Sequence, residues 1–231
     1  SLFEAYCKVW EPKWFEERVC GFHKQPPKPW IELASWPRLR APEPITWLIE
    51  QVAGSADASR LPHIGFAVTH GDLHGDNLLV DQDHHAWVID FERSGPGPVL
   101  QDLVELEADI LNRLTCALID PQTFYRVCIL ITQDAQLQPL IGCESFSAPA
   151  TRKTLEVIST LRRLASQHIH PASDAREYLW GLLFNTLFRA TIMSPDSSDG
   201  RERAFMLAGI LCQRLENWGA AWPPAQWPAA C

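Results

Sequence analysis

The sequence predicts an α+β fold that is mostly helical, and three observations predict it. Short β-branched and aromatic runs cluster between residues 64 and 90. From residue 100 onward the apolar residues recur at helical spacing. Residues 1–42 are crowded with Pro and Trp, and Pro removes a backbone donor and clashes with the preceding turn of a helix. With 231 residues and 46% hydrophobic content, the chain can bury a core as one domain or at most two. The expected organisation is an irregular segment over 1–42 and a helical body over 43–231, one domain overall.

Taken in order, a short helix is expected near 2–19, followed by irregular chain through "KQPPKPWIELASWPRLRAPEP". "PITWLIEQVAGS" reads as a helix, with Pro44 in its first turn and Gly54 at its end. "IGFAVTH" is a short strand, and "NLLVDQDHHAWVIDF" is two strands around a turn at Asp81–His84. "SGPGPV" is expected to be a loop. A helix then carries Leu100, Leu103, Val104, Leu111 and Leu114 on one stripe. "PQTFYRVCILITQDA" starts a helix at Pro121, and the next sets Leu155, Ile158, Leu161 and Leu164 at spacings of three. "SDAREYLWGLLFNTLFRATIM" is apolar enough after Tyr178 to be central. Ser198 or Asp199 is a cap candidate for the last helix, and the Trp/Pro tail over 218–231 is irregular.

Composition narrows the function. The formal net charge is −8 and the 20 Lys and Arg form no basic stripe, which argues against a nucleic-acid surface. An anionic small molecule would need a metal ion or backbone donors. The seven Cys are widely spaced, odd in number and without a CxxC pair, a pattern of reduced thiols in a cytoplasmic protein. No signal peptide and no membrane-spanning run is expected. A start at Ser1 rather than Met suggests a fragment or a processed chain.

The chemistry concentrates in "VTHGDLHGDNLLVD", residues 68–81. Asp72, Asn77, Asp90 and Asp102 stand out. A hairpin returns the chain to its starting edge, so Asn77 before the first strand and Asp90 after the second become neighbours. Both offer hard oxygen ligands, and so small a carboxylate set suits Mg²⁺, which keeps waters and borrows substrate phosphates. Asp72 is then free to accept a proton from a hydroxyl that attacks a phosphoryl group. The bland alternative is a polar hairpin with Asx turns. A second alternative is zinc on His70 and His74, with His84 and His85, although Gly71 and Gly75 argue against a helix that would make the i, i+4 spacing meaningful. "ELEAD" (105–109) reads as a solvated helix face, with a partner-binding or substrate role as its alternative. Arg162 and Arg163 read as surface charges, with anion binding as their alternative.

"HGDLHGDN" followed by "VIDFE" resembles the catalytic and metal-binding loops of the protein-kinase-like superfamily, closest to its aminoglycoside/choline phosphotransferase branch. Continuing through "SGPGPVLQDLVELEADI", the string is similar to a bacterial kinase-like group, the ternary-complex-associated domains. The strong part of the likeness spans residues 68–110. The resemblance implies a kinase-like C-terminal lobe that uses ATP and Mg²⁺, with Asp72 as catalytic base and Asn77 and Asp90 as metal ligands. It implies that His70 braces the loop and that Asp102 accepts hydrogen bonds from the loop backbone. Glu92 stands where protein kinases carry Gly, and His74 matches a structural His of the small-molecule branch.

The departures matter as much. No Gly-rich phosphate loop precedes His70; Gly21, Gly54 and Gly65 are isolated. Lys8, Lys13, Lys24 and Lys28 lie upstream, none in a convincing strand of the Val-Ala-Ile-Lys kind, and Lys8 is the least poor candidate. The expectation is therefore a lower lobe without a recognisable upper one. Its partners would be a nucleotide and a hydroxyl acceptor on a small molecule or unknown polymer, with no nucleic acid or membrane. The alternative is a non-catalytic, kinase-like binding module of a larger bacterial protein, with a protein partner.

Overall fold

The computed structural model describes residues 30–53, 64–134, 136–137, 140, 142–169, 175–192 and 198–227. The expected helix near 2–19, the four upstream lysines, Gly21 and Gly54 lie outside these residues. The described chain is α+β with helices predominating.

Helix α1 (Pro44–Ala53) is followed by two small antiparallel ribbons. Strand β1 (Phe66–Thr69) pairs with β4 (Gly95–Pro98), and β2 (Leu78–Val80) pairs with β3 (Ala86–Val88). The β2–β3 hairpin matches the expected strands and turn. The β1–β4 pair corrects the expectation for "SGPGPV", which forms a strand. Its register sets Val68 opposite Pro96 and Phe66 opposite Pro98. Pro cannot donate to a ladder, so β4 is confined to an edge, with Gly95 and Gly97 as its own donors. The Val99 N–H extends the pairing to the Gly65 carbonyl at 2.9 Å. Glycine at 97 is also a steric necessity: a Cβ there would lie 2.5 Å from Gln101 Oε1 and 2.7 Å from Thr69 Oγ1.

Helix α2 (Gln101–Asp109) runs into a π turn over Ile110–Leu114, closed by the Thr115 N–H bonding back five residues to Ile110. Leu100, Val104 and Leu111 are buried as expected, but the wider turn carries Leu114 out of line and it is exposed. Helix α3 (Pro121–Ile131) has Asp120 as its cap, accepting from the Thr123 N–H at 3.0 Å. In α4 (Pro149–Ala165), Leu155, Ile158 and Leu161 are buried and Leu164 is not. Steps of three residues drift by about 60° each on a 3.6-residue helix, so Leu164 emerges opposite Leu155.

Helix α5 (Arg176–Ile192) is the axis of the molecule, buried on nearly every side from Glu177 to Leu187. It packs against α2 and against α6 (Ser198–Glu216), and α6 in turn receives α1 and α3. The irregular segment over 30–42 belongs to the same core: Ile31, Leu33, Trp36, Leu39 and Ala41 are buried in it. Each large apolar side chain closed off here contributes about 1.5–3 kcal/mol. Gly209 on α6 lets that segment approach, since a Cβ would meet Ile31 Cδ1 and the Pro42 carbonyl at 3.0 Å. Among the described residues no helix is long and apolar enough to cross a membrane.

Candidate functional site: a loop clamped by buried carboxylates

The chain leaves β1 at His70 and runs along one face of α2, from Asp102 to Asp109, before entering β2. Gly71 makes the first bend with φ +81°, and a Cβ there would lie 2.5 Å from the Arg93 carbonyl oxygen. Glycine is therefore required for backbone conformation and for space.

Three carboxylates on one face of α2, at i, i+3 and i+7, hold the loop. Asp102 accepts from the His70 and Gly71 N–H groups at 2.8 and 2.9 Å. Glu105 accepts from the Leu73 N–H at 3.2 Å, and Asp109 from the Gly75 N–H at 2.9 Å. An irregular loop packed on a helix leaves its own donors unpaired, and charge-assisted acceptors are the strongest way to satisfy them. This corrects the solvated reading of "ELEAD": Glu105, Glu107 and Asp109 are all 0% exposed. Glu107, on another face, pairs with Arg162 of α4 at 2.7 Å and accepts from the Tyr178 hydroxyl. Arg162 is therefore buried rather than a surface charge, while Arg163 is exposed.

The clamp has its own cations. Arg113 donates to both Asp109 oxygens at 2.7 Å and reaches Asp76 at 3.1 Å. Arg189 of α5 lies 3.4 Å from Asp109 and 4.0 Å from Glu105. Burial pushes the Asp109 carboxyl up, but Arg113, the Gly75 N–H and Arg189 outweigh it and hold the group below its usual range. Glu105 has weaker compensation: burial, then the Asp72 charge, raise it to about 7 against the pull of Arg189.

Inside the loop, Asn77 is buried and its Nδ2 donates to the Asp72 main-chain carbonyl at 2.9 Å. The Asp72 carboxylate is half-buried, 4.0 Å from His74 Nε2 and 3.8 Å from Arg93 Nε. His74 caps the 3-10 turn Gly75–Asn77, with Nδ1 accepting from the Asp76 N–H at 3.3 Å. The His70 ring bonds the Ile89 carbonyl through Nε2 at 2.8 Å and packs on Phe91. The Ile89 N–H donates to the Asn77 carbonyl at 3.1 Å, so Asp90 follows directly on the residue bonded to Asn77. Asp90 is exposed and adopts φ +64°, a left-handed conformation rare outside Gly, Asn and Asp. Glu92 is exposed in the next turn, Phe91–Arg93, whose last carbonyl touches Gly71.

His84 and His85 lie at the tip of the β2–β3 ribbon, and among the described residues they do not group with His70 and His74. The four-histidine zinc alternative has no geometric basis. Asp81, Asp83 and His85 do converge, with ligand atoms within 4.8 Å of one another. Asp81 is already spent on the turn itself, accepting from the Asp83 and His85 N–H groups and from Trp87 Nε1.

The sequence reading gives Arg113 and Arg189 no site role, and gives Glu105 and Asp109 only the alternative of a partner-binding or substrate role within "ELEAD". The signal for Glu105 and Asp109 was their spacing from Asp102, which shares a helix face, and Arg113 lies i+4 from Asp109. Arg189 had no local signal.

Neither a curated protein nor a solved structure matches the chain. A family model described as ternary complex associated domain 9 matches residues 31–191. That span takes in the clamped loop, both ribbons, α2 and the Arg189 position, and it is well over half of the sequence. The chain belongs to the ternary complex associated domain 9 family.

Proposed function

We propose that this chain is the lower lobe of a kinase-like phosphotransferase that moves the γ-phosphoryl group of ATP to an acceptor hydroxyl. The observation that carries the reading is the pinned loop: Asp72 has its own carbonyl held by Asn77 and its neighbours' N–H groups held by Asp102 and Glu105, while its carboxylate stays accessible. Such an arrangement supports a base whose direction is fixed before substrate arrives. In the proposed step the Asp72 carboxylate takes the hydroxyl proton as the acceptor oxygen bonds to the γ-phosphorus. The bond to the β–γ bridging oxygen breaks and ADP leaves. Asn77 and Asp90 fit Mg²⁺ by donor chemistry, since the Asn77 nitrogen is engaged and its Oδ1 and the exposed Asp90 carboxylate are hard oxygen donors. The ion would supply neutralisation of phosphate charge. Lys8, the least poor phosphate-binding lysine, lies outside the described residues.

The test is transfer of γ-labelled phosphate by the full chain. Asp72→Asn and Asp90→Ala are each expected to abolish transfer without lowering the melting temperature; retained transfer in both variants ends the reading.

A second reading, a non-catalytic docking module, is favoured by a different observation. Both ribbons and the turn after the second expose large apolar side chains: Val68 is 83% exposed and Phe66, Trp87 and Phe91 about 60% each. The family description is of association in a ternary complex. Under this reading nucleotide does not bind, and a protein partner protects the ribbon amides from hydrogen exchange.

A further inference from the structure

We infer that Arg189, reaching from α5 toward the Glu105 and Asp109 carboxylates, is the positioning residue that fixes the aim of Asp72. The meaning of that aim rests on the phosphotransfer reading; the contacts that set it do not.

The residues on either side of Asp72 are held from α2. Asp102 takes the Gly71 N–H and Glu105 takes the Leu73 N–H. Asp109 takes the Gly75 N–H one step further along. Glu105 and Asp109 are i, i+4 neighbours with like charge and no exposure, a pairing that is unfavourable unless a cation is shared between them. Asp72 and Asp102 add further negative charge on the Glu105 side. Arg113 is committed to Asp109 and Asp76. Among the described residues Arg189 is the cation that faces both carboxylates, with Nη1 3.4 Å from Asp109 Oδ1 and Nη2 4.0 Å from Glu105 Oε1. Arg189 Nη2 and Glu105 Oε1 are both buried and neither has a hydrogen-bond partner among the described residues, so each is directed at the other. Because Arg189 comes from the central helix, it also ties the loop to the most buried element of the fold.

The mechanism is neutralisation. Arg189 favours the charged form of Glu105 against burial and the Asp72 charge, and that form holds the Leu73 N–H more strongly than the neutral acid would. Without it, that carboxylate is driven to its neutral form or away from Asp109, and the Leu73 anchor slackens.

The experiment is amide hydrogen exchange on the full chain, read at Leu73, Gly75 and, as an internal control, Leu183 of α5. Arg189→Met is expected to speed exchange at Leu73 and Gly75 at least tenfold while Leu183 changes less than twofold. Arg189→Lys should restore most of the protection. In a Glu105→Gln background the charge that needs neutralising is gone, so adding Arg189→Met should alter Leu73 exchange less than twofold. This double variant also serves if Arg189→Met alone fails to fold. Unchanged exchange at Leu73 and Gly75, equal acceleration at Leu183, or an undiminished effect in the Glu105→Gln background overturns the inference. Where the parent chain transfers phosphate, Arg189→Met should lower kcat at least tenfold with KM for Mg·ATP little changed. If the parent transfers none, the phosphotransfer reading fails, and the exchange rates still decide the positioning role.

Discussion

Replacing Arg162 with Met should cost the protein about 3–5 kcal/mol, the range for breaking a buried ion pair on one side. The guanidinium is 4% exposed and its Nη2 and Nε lie 2.7 and 3.1 Å from Glu107. It also donates to the Ile131 carbonyl and covers the Tyr178 ring, 5.2 Å from its centroid. Met fills the volume of the aliphatic stem but leaves Glu107 fully buried, with the Tyr178 hydroxyl as its remaining donor. For a domain of this size the loss corresponds to a melting temperature lower by roughly 6–20 °C. The same chain carrying Glu107→Leu as well should recover most of the loss, because the cost lies in the orphaned charge and not in a missing attraction. Urea unfolding followed by Trp fluorescence, with m compared between variants, measures both numbers. A loss below about 1 kcal/mol for Arg162→Met, the value of an exposed pair, would refute the argument.

Two further predictions concern the loop. Glu105, raised to about 7 by burial and then by the Asp72 charge, with Asp102 adding to it and Arg189 opposing, makes the protein less stable as pH rises. Its contribution is complete below about pH 4.5, is lost between there and about pH 7, and is absent above; Glu105→Gln should remove that decline, on the order of 3 kcal/mol, from a pH series of unfolding curves. Gly71→Ala adds left-handed strain of about 1–2 kcal/mol and a clash with the Arg93 carbonyl, so under the phosphotransfer reading it should abolish transfer while the helical circular dichroism signal persists.

The parts of this fold that were legible in the sequence are those specified locally. Pro121 announces the start of α3, and the polar turn between Leu78–Val80 and Ala86–Val88 announces the hairpin. Helix α5 is so apolar that only a central position suits it. "SGPGPV" was misleading because Gly and Pro usually mark turns; its pairing is decided by β1, some 30 residues upstream. The loop motif was legible, and the clamp was not. Acids on a helix face water by default, and what buries Glu105, Glu107 and Asp109 is the arrival of Arg162 and Arg189 from α4 and α5. Those partners are more than 50 residues away in sequence, and no spacing rule links them.

The clamp has an electrostatic consequence for any nucleotide. Asp72, Asp76, Asp102, Glu105 and Asp109 line the loop, and Arg93, Arg113 and Arg189 neutralise them only in part. Two of these three arginines are drawn toward buried acids, so little cationic character is left for a phosphate. A polyanion brought beside Asp72 alone meets like charge at close range, where each such pair costs about 4 kcal/mol at 4 Å in a surface-like dielectric. Under the phosphotransfer reading, nucleotide binding must therefore depend on a divalent cation almost completely. ATP with a chelator should leave the melting temperature unchanged, and ATP with Mg²⁺ at a hundredfold excess over its dissociation constant should raise it by roughly 5–11 °C. Asp90→Ala should erase that rise, and Asp72→Asn, which removes a repelling charge and no proposed ligand, should keep it. An equal shift with and without Mg²⁺ would contradict the charge argument, because the acids that hold the loop would then not be governing what can approach it.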